Sequence, residues 1–368
     1  MITRSLGKPW NEGGKNLAYN LANHISNHRI NILTKNNFSD KINKNITVEK
    51  IYSSSNKGEI NYFDKIRLFI RLLKNDNSNI YHFIYTPELF TSLLNRFILM
   101  LKNKKSIQTV PTLIENKRLV NFLIFADKII VLSDYSKRNF IKMGFNNVIK
   151  INSGIDVNFF KPVNKDINLL KKLNLKNKFI VLVPIELEPR RGTRVILKSI
   201  LELSKLNKLN NLFFIFSYRK KEKNLKEKNF IISVLNKENI YKFTFLEDFY
   251  DIKKLICISD VILYPTLDMS DKQETPMILL ESLSMKKPII ITDISPLNEI
   301  LKLKGGIKIK KGDFKEISKS ILEIKKNSKL RKLMGENGRK IVLRYFNIVN
   351  IAKKYEELYK TCNNWGSQ

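Results

Sequence analysis

The chain has 368 residues, of which 43% are hydrophobic and 10% aromatic, so it is long enough for two domains and too apolar for a disordered protein. Two widely separated cysteines (Cys257 and Cys362) and three unclustered histidines argue against a structural zinc site or a disulfide scaffold, and they fit a reducing compartment. The formal net charge of +33 has two interpretations: compositional drift, which we favour, and attraction to an anionic membrane or to nucleic acid.

Strands alternate with helices along the first half of the chain. A stub of residues 2–5 precedes a glycine-containing loop at 9–15, and an amphipathic helix follows the loop. Further strands are predicted over 30–34, 46–52, 80–85, 107–110, 128–133 and 147–151, and helices over 65–74, 88–101 and 134–143. The alternation indicates a parallel, doubly wound sheet. Because such a domain begins with a central strand, either this stub is that strand or the natural reading frame starts upstream of Met1.

The same pattern starts again after a turn at residues 152–156 and a linker near 159–162. Strands are predicted over 179–183, 212–216, 243–246, 261–265 and 305–309, and helices over 193–205, along a Lys/Glu-rich stretch, over 251–258 and twice at the end of the chain. Two similar α/β halves are therefore expected.

The most informative segment is residues 273–292. Its order predicts a loop, a buried helix, a tight Lys-Lys-Pro turn and a parallel strand, with Glu274 at the helix entrance and Glu281 about two turns in. Carboxylates so placed suit hydrogen bonding to sugar hydroxyls at the carboxyl edge of a sheet. The alternative is an ordinary helix with one capping acid and one solvated acid.

With these two halves, the chain resembles the family 4 glycosyltransferases of the GT-B fold. The resemblance rests on the order of motifs at residues 126–133, 154–162, 274–281, 334–339 and 355–359. It implies an α/β protein of two doubly wound Rossmann-like domains that face a cleft. Residues 1–157 would form the acceptor domain and 158–344 the nucleotide-sugar-binding domain, with a C-terminal helix at about 345–362 crossing back to the first.

The resemblance also implies an activity: a retaining, metal-independent, hexosyltransferase-type reaction from a UDP- or GDP-linked sugar to a glycan or lipid-linked acceptor, without a cofactor. An oxocarbenium-like sugar and a departing diphosphate must then be stabilised together, and fixed positive charge near the phosphates can replace a metal ion. The competing hypothesis is a catalytically silent GT-B protein that acts as a binding partner or subunit.

Positive charge for the diphosphate is implied after the first strand of the second half. The family has an Arg and a Lys there, at positions occupied in this chain by Glu186 and Arg191. Arg191 is the expected catalytic cation, because its guanidinium is permanently charged and suits phosphate. Glu186 reverses the expected sign, and Arg190 is a substitute from next door. The alternative is that Arg190 and Arg191 lie on a solvated loop.

Donor contacts are implied around the two glutamates. Glu281 matches the family glutamate that holds the ribose. Glu274 is the favoured catalytic glutamate, although it stands one residue away from the family spacing, and Gln273, which stands at that spacing, is the alternative. The backbone after Glu274, at the helix entrance, is expected to present N–H groups to the donor sugar or phosphate. Thr275, Pro276 and Met277 are the donor-binding residues implied there.

Three further positions follow from the resemblance. Leu246 lies where the family cradles the base. Gly13 and Gly14 match the glycine loop that approaches the diphosphate, where a side chain would block the backbone; the alternative is a turn with only a local folding role.

Two features, Pro111 and Glu186, support the silent-protein hypothesis. Pro111 stands where many relatives have a histidine, and Glu186 stands where the family has a cation. His82, in the middle of an apolar strand, is interpreted as a core histidine with its hydrogen bonds satisfied.

Two apolar and basic segments, residues 65–74 and 93–105, are candidates for contact with an anionic membrane. In the first, Arg67, Arg71 and Lys74 fall on one helix face; the alternative is that both segments simply pack on the sheet. No secretory signal or spanning segment is visible, so the protein is expected in the cytoplasm or on the inner membrane face. No motif favours specific nucleic-acid binding.

Overall fold

A computed structural model describes residues 1–8, 10, 12–53, 61–114, 117–249 and 251–363. Pro9 and Asn11, which belong to the predicted glycine loop, lie outside the described residues. The chain separates into two compact units. Unit 1 comprises Met1–Asp156, Ser270–Thr275 and Phe346–Gln368, and unit 2 comprises Val157–Met269 and Pro276–Tyr345.

Helices and strands alternate in both units. Numbered in chain order, the elements up to the linker are β1 (Ile2–Thr3), α1 (Gly13–His24), β2 (Ile30–Lys35), β3 (Ile46–Tyr52), α2 (Tyr62–Leu73), β4 (Ile80–Ile84), α3 (Leu89–Lys102), β5 (Lys105–Val110), α4 (Lys117–Leu123), β6 (Lys128–Val131), α5 (Asp134–Lys142) and β7 (Val148–Lys150). The remaining elements are α6 (Ile167–Lys172), β8 (Phe179–Val183), α7 (Thr193–Lys205), β9 (Leu212–Tyr218), α8 (Glu222–Lys237), β10 (Phe243–Glu247), α9 (Ile252–Ile258), β11 (Val261–Tyr264), α10 (Met277–Ser284), β12 (Ile289–Thr292), β13 (Gly306–Ile309), α11 (Phe314–Lys326), α12 (Ser328–Tyr345) and α13 (Ile348–Asn363).

Unit 1 contains a parallel sheet in the order β1-β4-β5-β6-β7 and a parallel pair, β2-β3. A parallel bridge between Leu6 and Thr34 sets β2 beside the end of β1, and the N–H of Lys35 donates to the carbonyl of Leu6 at 3.0 Å. The strand order is therefore β3-β2-β1-β4-β5-β6-β7, which is doubly wound. The predicted stub does form a strand, and that strand lies in the middle of the order.

The C-terminal helix α13 belongs to the core of unit 1. Its buried Ile351 and Tyr355 share one apolar cluster with Leu17 of α1 and Ile107 of β5. His82 ties the same helix to the sheet: its Nδ1 lies 2.7 Å from the hydroxyl of Tyr359, and its Nε2 lies 2.8 Å from the hydroxyl of Thr109. The prediction of a satisfied core histidine is confirmed.

Unit 2 contains one parallel sheet in the order β10-β9-β8-β11-β12-β13. All residues of β8, β11 and β12 are buried, as expected for strands covered by helices on both faces. The chain runs outward from β8 to β9 and β10 and then returns to β11 on the other side of β8. The topological switch point lies between β8 and β11, and open α/β sheets bind ligands at the carboxyl edge of that point.

The structure differs from the sequence prediction in its short and terminal helices. Helices α4 and α6 were not predicted, because segments of six or seven residues are too short to show a clear period. Three helices rather than two close the chain, since Asn327 alone separates α11 from α12 and no Gly or Pro marks the break. In the described part of the chain, every helix is too short or too polar to cross a bilayer.

Candidate functional site

The loops that follow β8 and β11 are joined to each other at the switch point of unit 2. The carbonyl of Arg190 accepts a hydrogen bond from the N–H of Leu267 at 2.9 Å. Gly192 has φ +85°, and a Cβ there would lie 2.1 Å from the carbonyl oxygen of Pro265. Only glycine tolerates both the conformation and the close approach, so Gly192 fixes the position of the preceding arginines.

Arg191 is buried, with 1% of its surface exposed, in the short 3-10 turn that ends at Gly192. Its Nη1 donates to the carbonyl of Asp268 at 3.0 Å and to the Oδ1 of the same residue at 3.2 Å. A guanidinium keeps its charge at any accessible pH, so this is a fixed positive charge between the two loops. The alternative of a solvated loop is wrong for Arg191.

Glu186 is also buried, and two cations from the loop after β9 pair with its carboxylate. The guanidinium of Arg219 donates to Oε1, and the Nζ of Lys221 lies 2.7 Å from the same oxygen. These two cations therefore offset the negative charge of Glu186. Sequence reasoning missed Arg219 and Lys221, because they lie 33 and 35 residues further along the chain. The run of basic residues directly after a buried strand is the signal that would have pointed to them.

A second carboxylate, Glu188, continues this network. It accepts from Nε of Arg190 at 2.7 Å and pairs with Nζ of Lys223 at 2.6 Å. Burial opposes ionisation of Glu188, but the hydrogen bonds from Lys223 and Arg190 outweigh it and lower its pKa below the ordinary value. Four cations thus surround two carboxylates, which leaves an excess of two positive charges.

Tyr264, the last residue of β11, shows that these charges share one end of the sheet. Burial raises the pKa of its phenol to about 12, and the charges of Arg191, Glu186 and Arg219 all act on that phenol. Arg191, Arg219 and Glu186 therefore lie near the carboxyl end of β11, beside the switch point.

Glu281 lies on α10, a little over one turn from the start of the helix rather than the predicted two. It is 7% exposed, and no described residue forms a hydrogen bond or ion pair with its carboxylate. Burial raises its pKa to about 8. The alternative of a solvated acid is wrong. A buried carboxyl without a protein partner is costly, and such groups are frequent at binding sites.

Helix α10 is firmly held within unit 2. The Nη1 of Arg339 donates to the carbonyls of Val157 and Ser284, both at 3.0 Å, and the Oγ of Ser284 donates to the carbonyl of Phe160 at 2.6 Å. These bonds hold the helix against the linker and α12. Glu281 is therefore presented from a rigid element.

Gln273 and Glu274 belong to the short segment Ser270–Thr275, which is part of unit 1. Gln273 forms an antiparallel bridge with Thr112, and its Nε2 donates to the hydroxyl of Ser153 at 3.3 Å. The N–H of Glu274 donates to the carbonyl of Pro111 at 2.8 Å, and Glu274 is 1% exposed. The segment is therefore attached to the end of β5, and the proline contributes through its carbonyl.

The remaining candidate residues are placed as follows. Gly13 and Gly14 are the first two residues of α1 rather than part of a loop, and a Cβ on Gly14 would meet no described atom within 4 Å. Leu246 lies in the edge strand β10, opposite Ser217. Pro276 precedes the first turn of α10. Thr275 and Met277, which flank it, are both buried.

Contacts thus connect the candidates within each unit: Arg190 and Arg191 with the loop after β11 in unit 2, and Gln273 and Glu274 with β5 in unit 1. The donor-binding and catalytic roles of these residues, and the labels acceptor domain and nucleotide-sugar domain, stay predictions. Within the described ranges, no group of three His, Cys, Asp or Glu side chains is arranged to hold a metal ion.

Comparison with solved structures defines the fold. The crystal structure of Anabaena Alr3699/HepE in complex with UDP-glucose has a TM-score of 0.77 and 17% sequence identity, and the alignment covers 98% of both chains. The same protein in complex with UDP and glucose also gives a TM-score of 0.77. The chain therefore has the GT-B fold.

Sequence comparison finds similarity to glycosyltransferases. Residues 165–341, which all follow the linker near 159–162, match the model of the family described as Glycosyl transferases group 1. The uncharacterized glycosyltransferase MJ1178 of Methanocaldococcus jannaschii is 23% identical over 92% of this chain and 93% of its own length. The uncharacterized glycosyltransferase MJ1069 of the same organism is 25% identical over 67% of this chain, and the match spans 62% of its own length. In these comparisons the chain is similar to proteins that are named as glycosyltransferases.

Proposed function

We propose that the chain is a retaining, metal-independent glycosyltransferase of family 4 that moves a hexose from a UDP- or GDP-linked donor to a glycan or lipid-linked acceptor. The observation that carries the proposal is the group of cations that the loops after β8 and β9 hold near the end of β11. Arg191 is buried there, and Arg219 and Lys221 are held by Glu186 beside it. A donor pyrophosphate carries two negative charges and suits such a site.

The charge of these side chains also supports metal independence. A departing nucleoside diphosphate develops negative charge in the transition state, and preorganised cations stabilise that charge without reorganising. Arg191 is fixed by Asp268, and Arg190 by Glu188, so both are oriented before the donor arrives. Guanidinium groups in fixed positions can supply what a divalent cation supplies in other transferases.

We assign the two glutamates different roles. The carboxylate of Glu281 accepts hydrogen bonds from the ribose hydroxyls, which would give it the partners that the described residues lack. Glu274 stands three residues before α10 and contacts the transferred sugar, where its negative charge stabilises the oxocarbenium-like carbon. Backbone N–H groups of the first turn of α10, from Met277 onward, face the donor.

For retention, we infer that no protein nucleophile is required. The leaving diphosphate and the attacking acceptor hydroxyl would stay on the same face of the sugar, with the cations holding the diphosphate in place as a base for the incoming proton. The acceptor is a growing glycan or a lipid-linked saccharide. A cytoplasmic protein bound to the inner membrane face would meet such acceptors, which agrees with its free buried thiols.

The first experiment is a thermal-shift screen of uridine, guanosine and adenosine diphosphates and their sugar conjugates. A selective ligand present at 100 times its Kd stabilises the native state by about 2.7 kcal/mol, which is readily measured. We expect one base to be preferred and the sugar conjugate to bind. A chain that binds none of these nucleotides would overturn the proposal.

The second experiment separates a transferase from a silent GT-B protein. Release of the nucleoside diphosphate from the selected donor should be detected with the wild type and lost in Glu281→Gln. The matched control is Glu356→Gln in unit 1, where a similarly buried carboxylate accepts from Ser26 and Asn27. Tight donor binding without any turnover, with water or with saccharide acceptors, would favour the silent protein.

A further inference from the structure

Helix α2 presents an apolar stripe to the outside of unit 1. Tyr62, Phe63, Ile66 and Ile70 follow one another at helical spacing, and Phe63 is 71% exposed. The opposite side of the helix already meets the core of unit 1 through Leu72 and its neighbours. The exposed stripe is therefore a second apolar face, which packing in unit 1 does not use.

Helix α3 presents a matching stripe. Phe90, Leu93, Phe97 and Met100 are exposed along its length, and Met100 reaches 76%. Ile98 and Leu99 face inward and supply the buried contacts of this helix. As in α2, one apolar stripe of the helix is therefore exposed on the surface of unit 1.

The two stripes lie side by side and run in the same direction. Lys65, near the start of α2, pairs with Glu88 at the start of α3 at 3.3 Å. At the other end, the ammonium group of Lys102 donates to the carbonyl of Lys74. Helix α4 extends the surface beyond α3, because Arg96 donates to the carbonyl of Ile124 at 2.6 Å, and Phe122 of α4 is 49% exposed.

We define the apolar face as the exposed apolar side chains of α2, α3 and α4. An aromatic side chain covers about 150–250 Å² when buried, so half-exposed side chains along three helices present on the order of 1,000 Å². The largest apolar patch of an ordinary monomer is roughly 300–600 Å². A face of this size indicates a binding partner.

The charges around the apolar face identify the partner. Helices α3 and α4 contain no acidic residue, and the single acid of α2, Asp64, is buried and accepts from Ser53. Arg67, Lys74 and Arg118 are exposed at the rim. A second copy of the chain would oppose the same cations, whereas an anionic lipid surface complements them.

We propose that the apolar face docks onto an anionic bilayer, with α2 and α3 lying in the plane of the headgroups. Aromatic and aliphatic side chains on one side of a helix, with cations at its rim, are the composition of interfacial helices. The side chains of Phe63, Phe97 and Met100 enter the acyl boundary, and Arg67 and Lys74 contact lipid phosphates. This docking is independent of the proposed transferase chemistry.

The test is co-sedimentation with vesicles of phosphatidylcholine alone and of phosphatidylcholine with 30 mol% phosphatidylglycerol (a composition we choose). Wild-type protein should bind the anionic vesicles at least tenfold more tightly, and added salt should weaken binding only in part. Phe63→Ser/Phe97→Ser/Met100→Ser should reduce binding at least tenfold. These positions are exposed, so the unfolding midpoint should be unchanged.

The matched control replaces apolar residues of similar exposure in unit 2: Leu225→Ser/Tyr241→Ser/Leu333→Ser, where the wild-type side chains are 58%, 65% and 57% exposed. Its vesicle binding should equal that of the wild type. Equal binding by both triple variants would refute the docking face. Failure of the wild type to bind vesicles, together with a dimer that the first triple variant makes monomeric, would assign the face to a second copy instead.

Discussion

The backbone N–H of Glu274 donates to the carbonyl of Pro111 at 2.8 Å, which joins the segment before α10 to the end of β5. The residue at position 111 therefore acts through its main chain, which a proline supplies as well as any other residue. The absence of a histidine side chain there does not disturb this anchor. Pro111 is for this reason weaker evidence for an inactive protein than the sequence alone suggested.

If Glu274 contacts the transferred sugar, Glu274→Gln should lower kcat without weakening the donor complex. Loss of one preorganised electrostatic contact typically costs about 10²–10³ in kcat, and we expect a donor Kd within threefold of the wild-type value. Steady-state kinetics and calorimetry of donor binding would measure both. Gln273→Asn is the companion variant: if it abolished turnover while Glu274→Gln did not, the two neighbouring residues would have to exchange roles.

If Glu281 binds the ribose of the donor, donor binding should depend on pH. Burial raises the pKa of its carboxyl to about 8 in the free protein, and hydrogen bonds donated by ribose hydroxyls favour the ionised form. Binding should therefore release a proton and tighten as pH rises from 6 to 8, by up to about tenfold per pH unit, and level off above pH 8. A sugar nucleotide is the appropriate ligand, because a terminal phosphate titrates near pH 6 itself.

Calorimetry of the wild type and of Glu281→Gln at several pH values would test this dependence. The variant has no titrating carboxyl at this position, so its affinity should be weaker at pH 8 and flat across the range. A wild-type affinity that does not change between pH 6 and pH 8 would mean that Glu281 does not meet the ligand.

Arg219, held by Glu186, should contribute to phosphate binding although it follows a different strand from Arg191. A hydrogen bond to a charged group is worth about 1.5–3 kcal/mol, so Arg219→Ala should weaken binding of the nucleoside diphosphate roughly tenfold to a hundredfold. Affinity for the uncharged nucleoside should be unchanged, and Arg219→Lys should restore part of the loss. This split distinguishes a phosphate contact from a general structural role.

Lys165→Ala is the control for Arg219→Ala. Lys165 has nearly the same side-chain exposure (37% against 36%) and also pairs with a partly buried carboxylate, that of Asp260, but at the amino end of β11. Its removal should leave diphosphate affinity within twofold of the wild type. Comparable losses in the two variants would show that any cation in unit 2 has this effect, and the specific role of Arg219 would be rejected.

His82 should make unit 1 less stable in mild acid. Burial lowers its pKa well below the ordinary value, while in the unfolded chain the imidazole takes up a proton near pH 6.5. The unfolded state then binds more protons, so the stabilising contribution is complete above pH 6.5 and is lost as pH falls, by up to about 1.4 kcal/mol per pH unit. Urea titrations at pH 7.5 and 5.5 would measure it.

His82→Gln keeps a hydrogen-bonding side chain near Thr109 and Tyr359 but removes the titration. Its stability at pH 7.5 should be lower than that of the wild type, and its loss between pH 7.5 and 5.5 should be smaller. The same substitution at His24, on the half-exposed side of α1, is the matched control. An acid sensitivity that His82→Gln leaves intact would have to come from other groups.

Local sequence patterns were sufficient for most of the secondary structure. Strands β3 and β8 and helix α7 have the predicted bounds, because a period of two or 3.6 and a turn at each end are properties of neighbouring residues. The alternation of these elements also indicated the fold class, since parallel strands need crossover helices. The burial of Glu281 is also indicated by its sequence neighbours, because the helix around it is apolar.

Contacts between residues far apart in the chain were decided by the tertiary structure. In the sequence, the negative charge of Glu186 is unfavourable for a phosphate site. In the fold, Arg219, which follows the next strand, pairs with it. Arg71 was expected on a membrane-facing side of its helix, but it turns inward to Glu49 and Asp76, and the exposed stripe of α2 is apolar instead. A helical period reveals that a helix has two faces; which face the core covers depends on the elements that pack against it, and these lie elsewhere in the sequence.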